Sequence, residues 1–140
     1  MTAAPALVLG LTSERQALEP ARLAVHAFLQ PHALSEATVF DVELVLEEAL
    51  MNVVWHGYGG RPGQRISLRV RLETEQVVIE IDDDGIAFDP LAAARPALPA
   101  SISEAQPGGL GLLLLREKAT AVDYRREGGR NHLRVAVARC

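Results

Sequence analysis

The sequence predicts an α+β fold: a two-layer sandwich with helices on one face of a mixed, mostly antiparallel sheet. Apolar residues recur at helical spacing in two stretches of the N-terminal half, and they alternate with polar residues in shorter stretches farther along. The chain has 140 residues, of which 49% are hydrophobic and 23% charged, and this is enough for a core without disulfides. We therefore expect a single domain over residues 1–140.

The first elements are a strand, two helices and a hairpin. An apolar run over residues 5–11 predicts the strand. Helical spacing then predicts one helix from Ser13 to about Pro31 and another from Glu36 to about Trp55. Residues 66–72 alternate between apolar and polar side chains, and residues 77–81 supply the second strand of a predicted hairpin.

The C-terminal half begins with an irregular segment. Residues 89–107 contain four prolines among small residues, which favours a lid or a mobile linker. Gly108 to Gly111 then precedes an apolar helix that runs to about Ala119. Residues 122–126 and 131–138 then predict an antiparallel pair of strands.

Charge and cysteine content exclude several classes of function. Lys and Arg number 14 against 18 Asp and Glu, giving a net charge of −4 without a basic block, so we expect no direct binding to nucleic acid. Cys140 is the single cysteine, which excludes an intrachain disulfide and a cysteine-based zinc site. The apolar runs are too short to cross a bilayer and the N-terminus does not resemble a signal peptide, so we expect a cytoplasmic protein without a membrane partner.

The second predicted helix carries three polar residues spaced four apart: Glu48, Asn52 and His56. They lie on one flank of the helix, and their neighbours are apolar nearly all round, which predicts cover on both sides. A carboxylate and an amide in such surroundings need partners or a ligand. The alternative is an ordinary polar face with a capping or salt-bridging Glu48, a solvated Asn52 and a structural His56.

An acidic turn, Asp82–Pro90 (DDDGIAFDP), follows the strand over residues 77–81. Gly85 can adopt a positive φ, which would let the backbone turn sharply beside a ligand. A carboxylate at this turn can accept a hydrogen bond from an exocyclic amine. A calcium loop is the alternative, but the turn lacks the further oxygen ligands and the late Glu of an EF-hand-like loop.

A glycine-rich turn, Gly108-Gly109-Leu110-Gly111, opens the third predicted helix. Free N–H groups and the helix dipole at such a turn suit a phosphate, although glycines also occur in plain turns. The chain has neither a P-loop pattern nor the glycine pattern of dinucleotide-binding folds.

Taken together, these segments resemble, in order, the N, G1 and G2 boxes of the GHKL (histidine-kinase-like) ATPases. The matching patterns are Glu48-x-x-x-Asn52, Asp83-x-Gly85-x-x-Phe88-Asp89-Pro90 and Gly109-x-Gly111. Within that superfamily, residues 42–58 and the Phe88-Asp89-Pro90 ending resemble the stand-alone anti-sigma factor serine/threonine kinases. The resemblance covers residues 13–137 and implies that the irregular segment is an ATP lid.

The resemblance also implies a role for each matching residue. Glu48 would be the general base toward an acceptor hydroxyl, and Asn52 would ligate Mg²⁺ through its amide oxygen. Asp83 would accept a hydrogen bond from the exocyclic amine of adenine. Arg22 would contact protein partners, with a solvated helix arginine as the alternative. The other nucleotide-binding positions implied are His56, Gly85, Ala87, Phe88, Gly108, Gly109, Leu110, Gly111 and Leu112, where Ala87 replaces a glycine of many members.

The function implied is that of an ATP- and Mg²⁺-dependent protein serine kinase. It would phosphorylate a serine of an anti-sigma factor antagonist of the STAS type and sequester a sigma factor. Family members commonly form homodimers, so a homodimer is a further expectation. The alternative is a non-catalytic ATP-binding regulatory module that switches partner binding. Glu48 favours the kinase, because a pure binder needs no base beside the γ-phosphate.

Overall fold

A computed structural model of the chain describes residues 4–88 and 117–139. In this part of the chain, two long helices pack on a five-stranded sheet, as the sequence predicts. The elements are β1 (Ala6–Thr12), α1 (Leu18–Leu29), α2 (Glu36–Asn52), β2 (Arg65–Leu72), β3 (Gln76–Asp83), β4 (Ala121–Glu127) and β5 (Arg130–Ala138). The predicted lid, and the predicted helix after it up to residue 116, lie outside the described residues.

The sheet has the strand order β1-β2-β3-β5-β4, and every neighbouring pair is antiparallel. The predicted mixed sheet is therefore wrong in this detail. A single crossover helix returns the chain to run parallel to the strand it left. Here two successive helices separate β1 from β2, so the chain reverses once more and β2 pairs antiparallel with β1. The two predicted hairpins, β2–β3 and β4–β5, are confirmed.

The core lies between the helices and one face of the sheet. Strand β2 alternates between buried apolar and exposed polar side chains along its length, as its sequence predicts. The buried side chains of the two helices are mainly apolar and pack against this face: Leu18, Ala21, Val25, Leu29, Val42, Val45, Leu46, Ala49 and Leu50. The expectation that α2 is covered on both sides is wrong, because Phe40 on its outer side is 62% exposed.

Element boundaries differ from the predictions where side chains make distant contacts. The first α-helix begins at Leu18, after a short 3₁₀ turn, and not at Ser13. The Ser13 hydroxyl instead donates to the Arg61 carbonyl at 2.6 Å and accepts from the Gln64 N–H at 3.0 Å, which ties the end of β1 to the loop before β2. No helix among the described residues is long and apolar enough to cross a membrane.

The two boundaries that shape the site are the ends of α2 and β3. Helix α2 starts at Ser35, whose hydroxyl accepts the Thr38 N–H at 3.1 Å, as an N-cap does. At its other end it continues as a π-helical turn over Val53–Gly57. Strand β3 extends to Asp83, so Asp82 and Asp83 belong to the strand and not to the predicted turn.

Candidate functional site

The ends of α2, β3 and β5 meet at one cleft. Its lining residues are Asn52, Val53, Gly57, Asp83, Phe88, Tyr124, Asn131 and Leu133. The structure thus brings together Asn52 from the second helix with Asp83 and Phe88 from the predicted acidic turn. Apolar side chains beside a few polar groups form the kind of surface that holds a flat heteroaromatic ring.

The π-helical turn after α2 contributes to this cleft. The Tyr58 N–H donates to the carbonyl of Val53, five residues earlier, at 3.0 Å. Such turns insert one extra residue into a helix and occur frequently at functional sites. The His56 ring stacks on Phe88, with ring centroids 4.2 Å apart and planes inclined by 8°. His56 itself does not line the cleft, so its place in the structure is behind Phe88.

Gly85 joins the end of β3 to the π-helical turn. The Ile86 N–H donates to the Gly57 carbonyl at 2.8 Å, and a Cβ atom on Gly85 would lie 2.3 Å from that same oxygen. Gly85 does not have a positive φ, so the conformational reason predicted for this glycine is wrong. Glycine is required here because the two backbones approach too closely for any side chain.

Asp83 is 4% exposed and lies at the end of β3. Its Oδ1 atom accepts hydrogen bonds from the Gly85 N–H and from Nδ2 of Asn131, each at 2.9 Å. Burial raises the pKa of the Asp83 carboxyl, and these two hydrogen bonds oppose that rise. Among the described residues, no hydrogen bond reaches the other carboxylate oxygen, Oδ2, which can therefore accept one from a ligand.

Asn131 is a candidate residue that the sequence analysis missed. The register of the sheet places it on β5 directly opposite Asp83. One signal could have identified it: the inward-facing positions of this strand are otherwise apolar, with Leu133, Val135 and Val137 all buried. A polar residue at the first such position needs hydrogen-bond partners inside the protein.

Asn52 is 3% exposed, and within the described part of the chain neither its Oδ1 nor its Nδ2 atom has a hydrogen-bond partner. The alternative of a solvated Asn52 is therefore wrong. Leaving a buried amide unsatisfied costs about 1–3 kcal/mol. An amide oxygen is a ligand that Mg²⁺ accepts, so this residue fits the predicted metal role. The described residues contain no group of three His, Cys, Asp or Glu side chains that could hold a metal ion. A cation at Asn52 would then complete its coordination with water and ligand oxygens.

Glu48 lies one helical turn before Asn52, beside a separate cleft. That cleft is lined by Arg15, Leu18, Glu19, Glu47, Glu48 and Met51. Burial raises the pKa of the half-buried Glu48 carboxyl, and the neighbouring Glu47 adds to the rise. Within residues 4–88 and 117–139 its carboxylate forms neither a hydrogen bond nor an ion pair. The structure therefore offers Glu48 no salt bridge in this part of the chain.

The remaining predicted positions fall in three places. Arg22 lies on α1, where it pairs with Glu19 at 2.6 Å and with Glu43 at 3.4 Å, so it is not simply a solvated arginine. Ala87 is exposed in the loop after β3 and does not line the cleft. The predicted phosphate contacts lie outside the described residues: Gly108, Gly109, Leu110, Gly111 and Leu112.

Sequence comparison identifies a family and several relatives. Residues 11–137 match the family model described as the histidine kinase-like ATPase domain. The serine/threonine-protein kinase BtrW of Bordetella bronchiseptica is 40% identical over 94 residues, which cover 67% of this chain and 66% of BtrW. The anti-sigma F factor of Pasteuria penetrans is 30% identical over 118 residues, which cover 84% of this chain and 77% of that protein.

Structure comparison gives the same fold. The crystal structure of the RsbU and RsbW domains of Rv1364c from Mycobacterium tuberculosis matches 97% of this chain and 33% of that one, with a TM-score of 0.63. At 15% identity this likeness shows the fold alone. The family match over residues 11–137 and the two relatives show the family. The chain belongs to the histidine kinase-like ATPase domain family, in the branch of the anti-sigma factor serine/threonine kinases.

Proposed function

We propose that this protein is an ATP-dependent serine kinase and anti-sigma factor. It would transfer the γ-phosphoryl group of ATP to a serine of an antagonist protein of the STAS type, and it would sequester a sigma factor. The observation that carries the proposal is the cleft in which a buried carboxylate, Asp83, and an unsatisfied amide, Asn52, come together. Two relatives, a serine/threonine-protein kinase and an anti-sigma F factor, support it by their names.

The base of ATP would bind at the Asp83 end of the cleft. The Oδ2 atom of Asp83 would accept a hydrogen bond from the exocyclic amine of adenine. Val53, Phe88 and Leu133 would contact the faces and edge of the ring, since their side chains line the same cleft. The stacked His56 ring supports Phe88 from behind, which is the role we propose for this histidine. Gly85 would shape the cleft through the contact of its backbone with Gly57. Ala87 would contribute only through the backbone of the loop in which it lies.

The phosphates would lie toward Asn52. The amide oxygen of Asn52 would ligate Mg²⁺, which when bound would neutralise charge on the phosphate oxygens. The unsatisfied state of this buried amide supports the assignment, because a buried polar group without a protein partner commonly has an ion or ligand as its partner. The backbone at Gly108–Leu112 would supply further phosphate contacts.

Glu48 would act as the general base. The serine hydroxyl attacks the γ-phosphorus, Glu48 takes up its proton, and ADP leaves with the bridging oxygen. A half-buried carboxylate with a raised pKa suits this role, because base catalysis is most effective when the pKa lies near the working pH. Because Glu48 lines a separate cleft with Arg15 and Met51, the acceptor serine would approach from that side.

Partner proteins would contact the outer face of α1. About a third of the Arg22 side chain is exposed, and it is held between two glutamates, so its guanidinium has a fixed position on this surface. We propose that it contacts the antagonist or the sigma factor. We further propose that residues 1–140 form one ATPase domain, which acts in the cytoplasm. Sedimentation of the purified protein tests the expected homodimer.

A phosphotransfer assay tests the proposal. The purified protein is incubated with γ-labelled ATP, Mg²⁺ and candidate antagonist domains, and phosphorylated serine is sought in the antagonist. Label on the antagonist supports the kinase. Binding of ATP without transfer to any antagonist, together with nucleotide-dependent capture of a partner, would favour the regulatory module. Absence of ATP binding would refute both functions.

A further inference from the structure

We propose that Asn131 is a positioning residue for nucleotide recognition. It holds the Asp83 carboxylate in the orientation that accepts a hydrogen bond from an exocyclic amine, and it thereby favours a base with an amine over a base with an oxo group. The inference rests on the proposed function. Asn131 is 5% exposed and lies opposite Asp83 in the register of β3 and β5.

Asn131 uses its whole hydrogen-bonding capacity within the protein. Its Nδ2 atom donates to Oδ1 of Asp83 and to the Ile86 carbonyl, each at 2.9 Å. Its Oδ1 atom accepts from the Tyr124 hydroxyl and, at 3.0 Å, from Nη1 of Arg126. A side-chain amide has two N–H donors and two acceptor lone pairs, so no hydrogen bond remains for a ligand. Asn131 therefore acts on a ligand through Asp83.

The surroundings of Asn131 allow one orientation of its amide. Rotation by half a turn would place Oδ1 against the Asp83 carboxylate and the Ile86 carbonyl, which are both acceptors. It would also place Nδ2 against the Arg126 guanidinium, which is a donor. The amide orientation is thus set by the hydrogen-bond network, and the position of Asp83 is set with it.

Tyr124, Arg126 and Asn131, which we call the hairpin clasp, hold the end of β3 from the β4–β5 hairpin. Nη1 of Arg126 donates to the Gly85 carbonyl at 2.9 Å as well as to Asn131. The clasp therefore fixes both the Asp83 side chain and the backbone that follows it. With two donors on Oδ1 of Asp83, the second oxygen is left for the ligand. An oxo group at that point would meet a carboxylate oxygen and be repelled.

The charge of Asp83 depends on the same contacts. Burial raises its pKa, and the Asn131 hydrogen bond is the strongest opposing influence, followed by the Gly85 N–H. Of the neighbouring charged groups, Asp84 raises the pKa of Asp83 and Arg126 lowers it. Tyr58 donates its hydroxyl to Asp84 and not to Asp83. Removing the clasp donors would raise the pKa of Asp83, so the acceptor would become protonated at a higher pH.

The test compares three variants of the full chain. Asn131→Leu removes both donors while keeping the branching and the number of side-chain heavy atoms, and Arg126→Gln weakens the clasp at the surface while leaving Asn131 in place. Arg125→Gln is the matched control, because the Arg125 side chain is 70% exposed and pairs with Glu127. Affinities for ATP and for ITP, which carries an oxo group in place of the amine, are measured across pH. In parallel, the Asp83 carboxyl is titrated by NMR without nucleotide.

We expect Asn131→Leu to weaken ATP binding about tenfold and ITP binding little, so that the preference for ATP falls. The pH at which ATP binding is lost on acidification should rise, as should the carboxyl pKa of Asp83 without nucleotide. Arg126→Gln should show the same changes to a smaller extent, and Arg125→Gln none. If Asn131→Leu does not fold, Arg126→Gln carries the test.

Folded clasp variants with an unchanged Asp83 titration and an unchanged preference for ATP over ITP would overturn the inference. A parent protein that binds neither nucleotide would refute the proposed function and, with it, the selection of an amine. In that case the NMR titration still decides whether Asn131 lowers the pKa of the Asp83 carboxyl and so keeps it ionised.

Discussion

The two ends of the cleft treat their polar groups in opposite ways. At the Asp83 end, Oδ1 of Asp83 accepts two hydrogen bonds from the protein, and Asn131 has all four of its hydrogen bonds satisfied. At the Asn52 end, the amide is equally buried but has no hydrogen-bond partner among the described residues. The Asp83 end is thus organised in advance, while the Asn52 end has a donor and an acceptor that no described residue uses.

This difference separates two kinds of buried polar residue. A satisfied one holds its neighbours in place and contributes to stability, whereas an unsatisfied one costs stability until a ligand arrives. We therefore expect that replacing Asn52 and Asn131 by the same apolar residue will change stability in opposite directions.

The largest effect should come from Glu48→Gln. Glutamine retains the shape of the side chain but cannot take the serine proton, so transfer should slow by about 10²–10⁴-fold while ATP binding is retained. Because burial raises the pKa of Glu48, transfer by the parent should be lost on acidification at a higher pH than an ordinary Glu would give. Glu36→Gln, at an exposed position in the first turn of the same helix, is the control. Transfer at the parental rate by Glu48→Gln would remove this residue from catalysis.

Asp83→Asn should weaken the binding of ATP and ADP alike, by about 10- to 100-fold, because both share the adenine contact. A group whose pKa is raised in the folded state destabilises that state once it is ionised. The unfolding temperature without nucleotide should therefore stay the same or rise. Titration calorimetry and thermal unfolding measure the two effects. Asp82→Asn, on the opposite face of the sheet, is the control and should leave affinity unchanged. Retained ATP affinity in Asp83→Asn would contradict the adenine contact.

Gly85→Ala tests the close backbone approach between the loop after β3 and the π-helical turn after α2. The added methyl group would overlap the Gly57 carbonyl, so the free energy of unfolding should fall by about 1–3 kcal/mol. Gly10→Ala in β1 is the control, since a Cβ atom there meets nothing within 4 Å. Denaturant unfolding compares the two variants. Equal stabilities would mean that the backbone contact is looser than the structure indicates.

The smallest effect on stability, with the opposite sign, is expected for Asn52→Leu. Replacing an unsatisfied buried amide by an apolar side chain of the same branching should raise the free energy of unfolding by about 1 kcal/mol. The same exchange at Asn131 should lower it. Asn52→Leu should also abolish the Mg²⁺ dependence of ATP affinity. Equal ATP affinity of the parent with and without Mg²⁺ would exclude the metal role of Asn52.

The sequence by itself determined the order of the elements that the structure describes and the packing of two helices on a sheet. Alternation in β2, helical spacing in α2 and the glycine pair between β4 and β5 are local patterns, and each predicted its element to within a few residues. The resemblance on which the site was predicted is also local, because each box lies within one short segment. It located Asn52, Asp83 and Phe88, which the fold brings to one cleft. Their roles in nucleotide binding stay predictions.

The tertiary structure decided which groups meet. Asn131 lies 48 residues from Asp83 along the chain, so no spacing rule connects them, and their contact follows from the pairing of β5 with β3. The sequence suggested that Gly85 is needed for a positive φ, but glycine is required there because the Gly57 carbonyl leaves no room for a side chain. Periodicity reports which face of an element is buried, because burial follows the geometry of that element. Hydrogen-bond partners belong to two elements at once, and only their packing brings them together.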